Sequence, residues 1–212
     1  MIQVGLAGWS YPDWNGVVYP RGCRDPLGFC ADLVDCIEIN STFYRIPNPA
    51  HTQAWTASLG RRTTRWTAKI PREFTHQKLP EGAAFDEVVE QTRAGFAPLL
   101  PRLDCLLLQF HHRFAHSASS LRHLARVVEA FADLSPLVVE VRHGSWQQPR
   151  ALEALADLSV GLCHLDYPPP KNGFAMERTR LLARGGLAYF RAHGRNAQAF
   201  YDPAAGRDQA YD

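Results

Sequence analysis

Short apolar runs recur along the chain at Ile2–Ala7, Cys36–Ile39, Arg65–Ile70, Cys105–Phe110, Leu137–Val141, Gly161–Leu165 and Leu187–Ala192. Each has the length of a strand and is bounded by polar or turn-forming residues. The segments between them carry a helical period instead. Ser117–Leu134 places Leu121, Leu124, Val127, Val128 and Phe131 on one stripe, with Ser117, Ser119 or Ser120 available as a cap. Ala83–Leu99 repeats Phe85, Val88, Val89 and Phe96 and carries acidic residues early, where the helix dipole favours them. Pro149–Leu158 opens on a proline and aligns Leu152, Leu155 and Leu158. Shorter helices are predicted at Pro26–Leu33 and Pro49–Leu59. Strand and helix alternating at intervals of roughly 25–35 residues imply parallel strands joined by right-handed crossovers. Without a repeat, a low-complexity linker or a break in composition, residues 1–212 are expected to form a single domain.

A doubly wound open sheet would announce a glycine-rich first turn. Gly5-Leu6-Ala7-Gly8 followed by Trp9 is not that fingerprint, so a (β/α) TIM-like barrel is expected. A closed barrel needs eight strands and the chain offers seven, while Phe200–Asp212 reads as a polar loop. The expectation is therefore a barrel that lacks its final strand and helix in this chain, an α/β domain incomplete at its C-terminal side.

The ends of the runs carry the chemistry. Residues at i and i+2 of a strand share a face. Glu38 with Asn40, Gln109 with His111, Glu140 with Arg142, His164 with Asp166 and Arg191 with His193 each close a run in this way. Lys69 precedes Pro71, and Trp9 and Ser10 close the first run. Polar groups repeated at successive strand ends are how a (β/α) barrel gathers an active site at its C-terminal rim. Glu38 and Glu140 are candidate general acids or bases and His193 a candidate proton carrier. Asp166 is placed to orient His193 or to bind a hydroxyl. Lys69, Arg142, Arg191 and Arg195 form the cationic side, suited to phosphate or carboxylate. Asn40 and Gln109 would orient a substrate, and Trp9, Tyr11, Tyr44 and Trp146 would give aromatic walls. The competing reading pairs these charges with one another, Glu140 with Arg191 for example, and uses the aromatic rings to pack loops.

Composition narrows the field. The formal net charge is only +2, so bulk electrostatics gives no case for nucleic acid or an anionic membrane as partner. No apolar stretch approaches the roughly 18 residues of a membrane span, and no basic segment followed by a long apolar one opens the chain. Cys23, Cys30, Cys36, Cys105 and Cys163 are odd in number and form no C-x-x-C pair. Cys36, Cys105 and Cys163 lie in apolar runs as small hydrophobes. A cytoplasmic protein with no zinc or iron–sulfur centre is expected.

The strand-end motifs together resemble the YecE-like barrels, known as domain of unknown function 72. The residues carrying the resemblance are Gly8-Trp9-Ser10-Tyr11, then Glu38-Ile39-Asn40-Ser41-Thr42-Phe43-Tyr44-Arg45, then Lys69-Ile70-Pro71 with Thr75-His76. Glu140-Val141-Arg142-His143 with Ser145-Trp146 and Arg191-Ala192-His193-Gly194-Arg195-Asn196 complete the set. The resemblance implies a TIM-like barrel with a polar pocket at the strand C-termini, and no established reaction. Three departures stand out: Gln109-Phe110-His111-His112 replaces the family's Gln-Leu-Pro-Pro, Gly144 replaces a common proline, and the last strand with its Phe-Asn-Asn stretch is absent. From residues and resemblance together, an enzyme acting on a small anionic substrate, a hydrolase or lyase without a cofactor, is expected. Two alternatives remain open at this point. One is metal-dependent phosphodiester cleavage like that of endonuclease-IV-like barrels, with Glu38, Glu140, Asp166 and His193 around a divalent metal. The other is a ligand-binding or interaction protein without catalysis.

Overall fold

The computed structural model describes residues 1–77, 79, 82–175, 183 and 185–202. Seven strands follow in chain order: β1 (Gly5–Ala7), β2 (Cys36–Ile39), β3 (Arg65–Lys69), β4 (Leu103–Gln109), β5 (Leu137–Glu140), β6 (Gly161–Asp166) and β7 (Tyr189–Ala192). The helices are α1 (Pro26–Ala31), α2 (Ser41–Tyr44), α3 (Pro49–Leu59), α4 (Arg72–Thr75), α5 (Ala83–Phe96), α6 (Ala118–Phe131), α7 (Pro149–Asp157) and α8 (Ala197–Tyr201). The strands are hydrogen-bonded in the order in which they occur, β1 to β7, and the recorded registers are parallel. That order and direction, with helices in the connections, are those of a TIM-type (β/α) barrel represented by seven strands among the described residues.

Local chemistry explains where the elements begin and stop. Asn48 accepts the Ala50 N–H at 2.8 Å and Pro49 fills the first helical position, so α3 starts as predicted. Asp25 caps α1 in the same way, accepting from the Gly28 N–H at 2.9 Å. The predicted helix to Leu99 ends as an α-helix at Phe96, and Ala97–Arg102 continues as a 3-10 segment containing Pro98 and Pro101. Ile2 and Val4 are exposed, and β1 is shorter than the apolar run that predicted it. Phe200 and Tyr201 belong to α8, capped by Asn196, where a loop was expected. The remainder of that expected loop, 203–212, lies outside the described residues.

Two compact units divide the chain. The first is Met1–Leu107 with Phe131–Ser135. In it, the register pairs Ala7 with Glu38, Glu38 with Thr67 and Lys69 with Leu107, which places these residues on one side of their strands. Ile37, Ile39, Trp66, Ala68 and Leu106 alternate to the other side and are fully buried. Phe74 of α4 meets Phe85 and Phe131 edge to face at 5.5 and 5.1 Å. Gly95 of α5 lies so close to the Pro47 carbonyl that a Cβ would collide with backbone, and its own carbonyl accepts from Thr52 Oγ1 at 2.7 Å. Burial and the neighbouring carboxylates Asp104, Asp35 and Glu38 push the Cys36 thiol up to about 11. Burial drives the Cys105 thiol well above its ordinary value as well.

The second unit is Leu108–Ala130 with Pro136–Asp212. Here Val138 pairs with Gly161, Val139 with Leu162, Leu165 with Arg191 and Asp166 with Ala192. Cys163 and Leu165 therefore share a side with Glu140, Arg142 and Arg191, whereas His164 and Asp166 project to the opposite one. His164 is buried, and its Nε2 has no hydrogen-bond partner among the described residues. Burial lowers the proton affinity of its imidazole. Above the ordinary histidine range, near 6.5, native and unfolded chains are both neutral at this position and it contributes nothing. As pH falls through that range, the unfolded chain binds a proton that the native chain refuses, and stability is lost. His164→Leu is expected to shrink the loss of urea-unfolding stability between about pH 7.5 and about pH 5. An unchanged loss would show that His164 is protonated at no cost in the fold.

Candidate functional site

The second unit gathers its charged groups around Glu140. Strand β5 is apolar up to this residue, and Glu140 is fully buried at its end. A carboxylate in that position costs several kcal/mol unless both oxygens are compensated. Arg142, two residues on, donates to Oε1 from Nε at 2.8 Å and from Nη2 at 2.7 Å. Arg191 of β7 donates from Nη1 to Oε2 at 2.6 Å. Among the described residues two guanidiniums share this carboxylate, and the Arg142 side chain is 23% accessible.

Arg191 also organises its neighbours. Its Nη1 lies 3.1 Å from His193 Nε2, and a guanidinium only donates, so Nε2 accepts and the ring proton resides on Nδ1. The backbone of His193 extends the β6–β7 ladder, donating to the Asp166 carbonyl at 2.8 Å. Gln109, the last residue of β4, offers Oε1 at 3.5 Å from Arg191, the outer limit of a hydrogen bond.

Other predicted residues have different surroundings. Asp166 accepts from Arg195 Nε at 2.9 and 3.0 Å, away from the side of β6 that faces the Glu140 group. The Arg195 side chain is 75% exposed, so that pair contributes little. Trp146 is fully buried, donates its indole N–H to the Phe114 carbonyl at 2.7 Å and stacks on Phe114 at 5.5 Å. It packs against the segment that carries Phe114. The rings of His111 and His112 lie 4.0 Å apart. Burial, then the neighbouring His112, Arg113 and Arg142, favour neutral His111.

In the first unit the centre is the ion pair of Glu38 and Lys69, 3.5 Å apart and almost wholly buried. Lys69 Nζ lies 5.7 Å from the centroid of the Phe43 ring, a cation–π contact, and Phe43 meets His76 edge to face at 4.9 Å. Thr42 Oγ1 donates to the Lys69 carbonyl at 2.7 Å and ties α2 to the end of β3. Sequence patterning left Thr42, Phe43 and His76 out of the site. The Ser-Thr-Phe-Tyr run after Asn40 was the available signal.

Gly8 fixes the remaining geometry of the first unit. Its φ of +90° suits glycine, its N–H donates to the Glu38 carbonyl at 2.9 Å, and a Cβ there would collide with the Tyr11 hydroxyl. That hydroxyl donates to the Ala7 carbonyl, so its oxygen can only accept from Asn40 Nδ2, at 3.3 Å. The amide orientation of Asn40 follows, and it leaves Oδ1 buried without a partner among the described residues. A buried acceptor in that state costs about 1–3 kcal/mol, and it marks a place where a ligand donor would be welcome. Trp9 packs at 5.4 Å from Trp55 of α3 and 6.0 Å from Trp66. Trp66 alternates to the side of β3 opposite Lys69. Tyr44 is exposed, in edge contact with Phe43 at 5.1 Å.

The carboxylates that a divalent metal would need are each engaged by a cation: Glu38 by Lys69, Glu140 by two arginines and Asp166 by Arg195. Among the described residues, no three His, Cys, Asp or Glu side chains are grouped as metal donors. No helix among them is long and apolar enough to cross a membrane.

Strand order and strand-end chemistry define a parallel (β/α)-barrel protein with ionised side chains gathered where the strands finish. The chain belongs to the family described as Protein of unknown function DUF72, whose model matches residues 3–211. It is 29% identical over 146 residues to the UPF0759 protein YecE of Escherichia coli K12, a match covering 68% of this chain and 49% of that protein. The chain thus spans about half the length of the curated relatives it matches. A crystal structure of a DUF72 family protein from Thermotoga maritima superimposes with a TM-score of 0.79 at 29% identity, covering 99% of this chain and 80% of that one. Another, from Enterococcus faecalis, gives 0.82 at 24% identity, covering 99% and 77%, and supports the fold.

Proposed function

We propose that this protein is an enzyme acting on a small anionic metabolite, phosphorylated or carboxylated, at the C-terminal strand ends of its second unit. The observation that carries the reading is the sharing of Glu140 between Arg142 and Arg191, which holds the partly accessible Arg142 guanidinium in fixed orientation. Glu140 has both oxygens committed to guanidiniums and no accessible surface, so its role is to aim the two arginines. Arg142, the more accessible of the two, takes the anion. His193, held with its proton on Nδ1 by the Arg191 contact, is the group suited to polarise or protonate a substrate oxygen. Proton transfer beside a fixed cation is the requirement of a hydrolase or lyase step.

Calorimetric titration with a panel of phosphorylated, carboxylated and neutral metabolites tests the proposal. At least one anionic compound is expected to bind, and Arg142→Gln is expected to weaken it by about tenfold or more. His193→Gln is expected to spare binding and remove turnover of the same compound. Binding confined to neutral compounds, or an anion indifferent to Arg142→Gln, would overturn the reading.

A further inference from the structure

A second polar feature of the second unit lies outside the Glu140 group. A cleft of about 340 Å³, in the range of small-molecule sites, is lined by His143, Ser145, Gln147, Gln148, Lys171 and Asn172, together with two glycines. None of its described lining residues is acidic, and the first turn of α7 beside it adds no carboxylate. Lys171 forms no ion pair among the described residues.

The hydrogen bonds around the cleft decide which groups remain for a ligand. Ser145 Oγ accepts the His116 N–H at 2.8 Å and lies 2.8 Å from His143 Nδ1. The Ser145 backbone N–H also points to Nδ1, at 3.2 Å. Nδ1 is therefore an acceptor, the hydroxyl proton of Ser145 goes to it, and the His143 ring proton is on Nε2. Gln147 is spent, its amide exchanging two hydrogen bonds with the backbone of Ala175 at 2.6 and 3.2 Å. The walls are tied together: the Gly144 N–H donates to the Asn172 carbonyl at 2.9 Å and the Phe174 N–H to the Arg142 carbonyl at 2.9 Å. The donors left over are the Lys171 ammonium, His143 Nε2–H and the amides of Gln148 and Asn172.

We infer that this cleft binds the phosphoryl group of a small metabolite, with Lys171 supplying charge and His143 Nε2–H a directed hydrogen bond. A tetrahedral oxyanion offers acceptors in several directions and suits donors spread over two loops, whereas a planar carboxylate suits a single fork. Because the walls are already hydrogen-bonded, little ordering is needed on binding. The site does not depend on the role proposed for Arg142, and the two fail separately.

Inorganic phosphate and acetate are the probes, added to the full ¹⁵N-labelled chain at constant ionic strength. Phosphate is expected to shift the amides of Gly144, Ser145 and Lys171–Gly173 saturably, and acetate to leave them in place. A long-range ¹H–¹⁵N spectrum is expected to show the His143 proton on Nε2. Lys171 is exposed, so Lys171→Glu should fold normally and weaken phosphate by about tenfold or more, while Arg142→Gln leaves the response intact. Three results would overturn the inference: shifts that do not saturate, shifts indifferent to Lys171→Glu, or shifts confined to Arg142 and Arg191 with none at Gly144, Ser145 and Lys171–Gly173.

Discussion

Glu140→Ala is expected to destabilise the protein by about 3–5 kcal/mol, the cost of leaving buried charge without its partner. The carboxylate has no contact with solvent, and its two oxygens receive three guanidinium N–H groups from Arg142 and Arg191. Removing it leaves two cations facing each other where water enters poorly, so repulsion adds to the lost hydrogen bonds. Denaturant unfolding measures the effect as a fall in midpoint. Glu140→Gln separates charge from shape, since the amide keeps an acceptor but presents donors to a guanidinium, and it should recover only part of the loss. The double variant Glu140→Leu with Arg191→Met should be less destabilised than Glu140→Leu alone. Additive losses would show that the pair is not coupled, and the role assigned to Glu140 would fall with it.

Lys69→Met is expected to have an effect of similar size in the first unit, again about 3–5 kcal/mol. Glu38 is almost wholly buried, and Lys69 is its ion-pair partner at 3.5 Å. Methionine keeps most of the aliphatic stem against Phe43 and removes the ammonium, so the change reads charge rather than packing. Replacing the partner as well, in Lys69→Met with Glu38→Leu, should return most of the stability, because two apolar side chains need no solvation. A single variant as stable as the parent would mean that Glu38 has other compensation.

The sequence revealed the alternation of strands and helices because apolar runs and helical stripes have different periods, and α3 is bounded by Asn48 and Pro49 as its local chemistry requires. It was less informative where burial decides. Ile2 and Val4 look like strand residues and are exposed. Phe200 and Tyr201 look like loop residues and form part of α8. For the site, the i, i+2 rule correctly joined Glu140 to Arg142 and Arg191 to His193. The same rule joins His164 to Asp166 without saying which side of the strand they take. The pairing of Leu165 with Arg191 settled that, and register depends on a neighbouring strand far away in sequence. Trp146 shows a different limit: an aromatic residue after a strand end has the same local pattern whether it lines an opening or, as here, fills a gap under Phe114.

The thiols of β2 and β4 have a practical consequence. With Cys36 pushed up to about 11 and Cys105 held well above the ordinary thiol range, almost no thiolate is present at neutral pH. The thiolate is the form that attacks peroxide and alkylating reagents, so both positions resist chemical modification. Cys36 and Cys105 therefore act as small apolar fillers that tolerate an oxidising handling step while the chain remains folded.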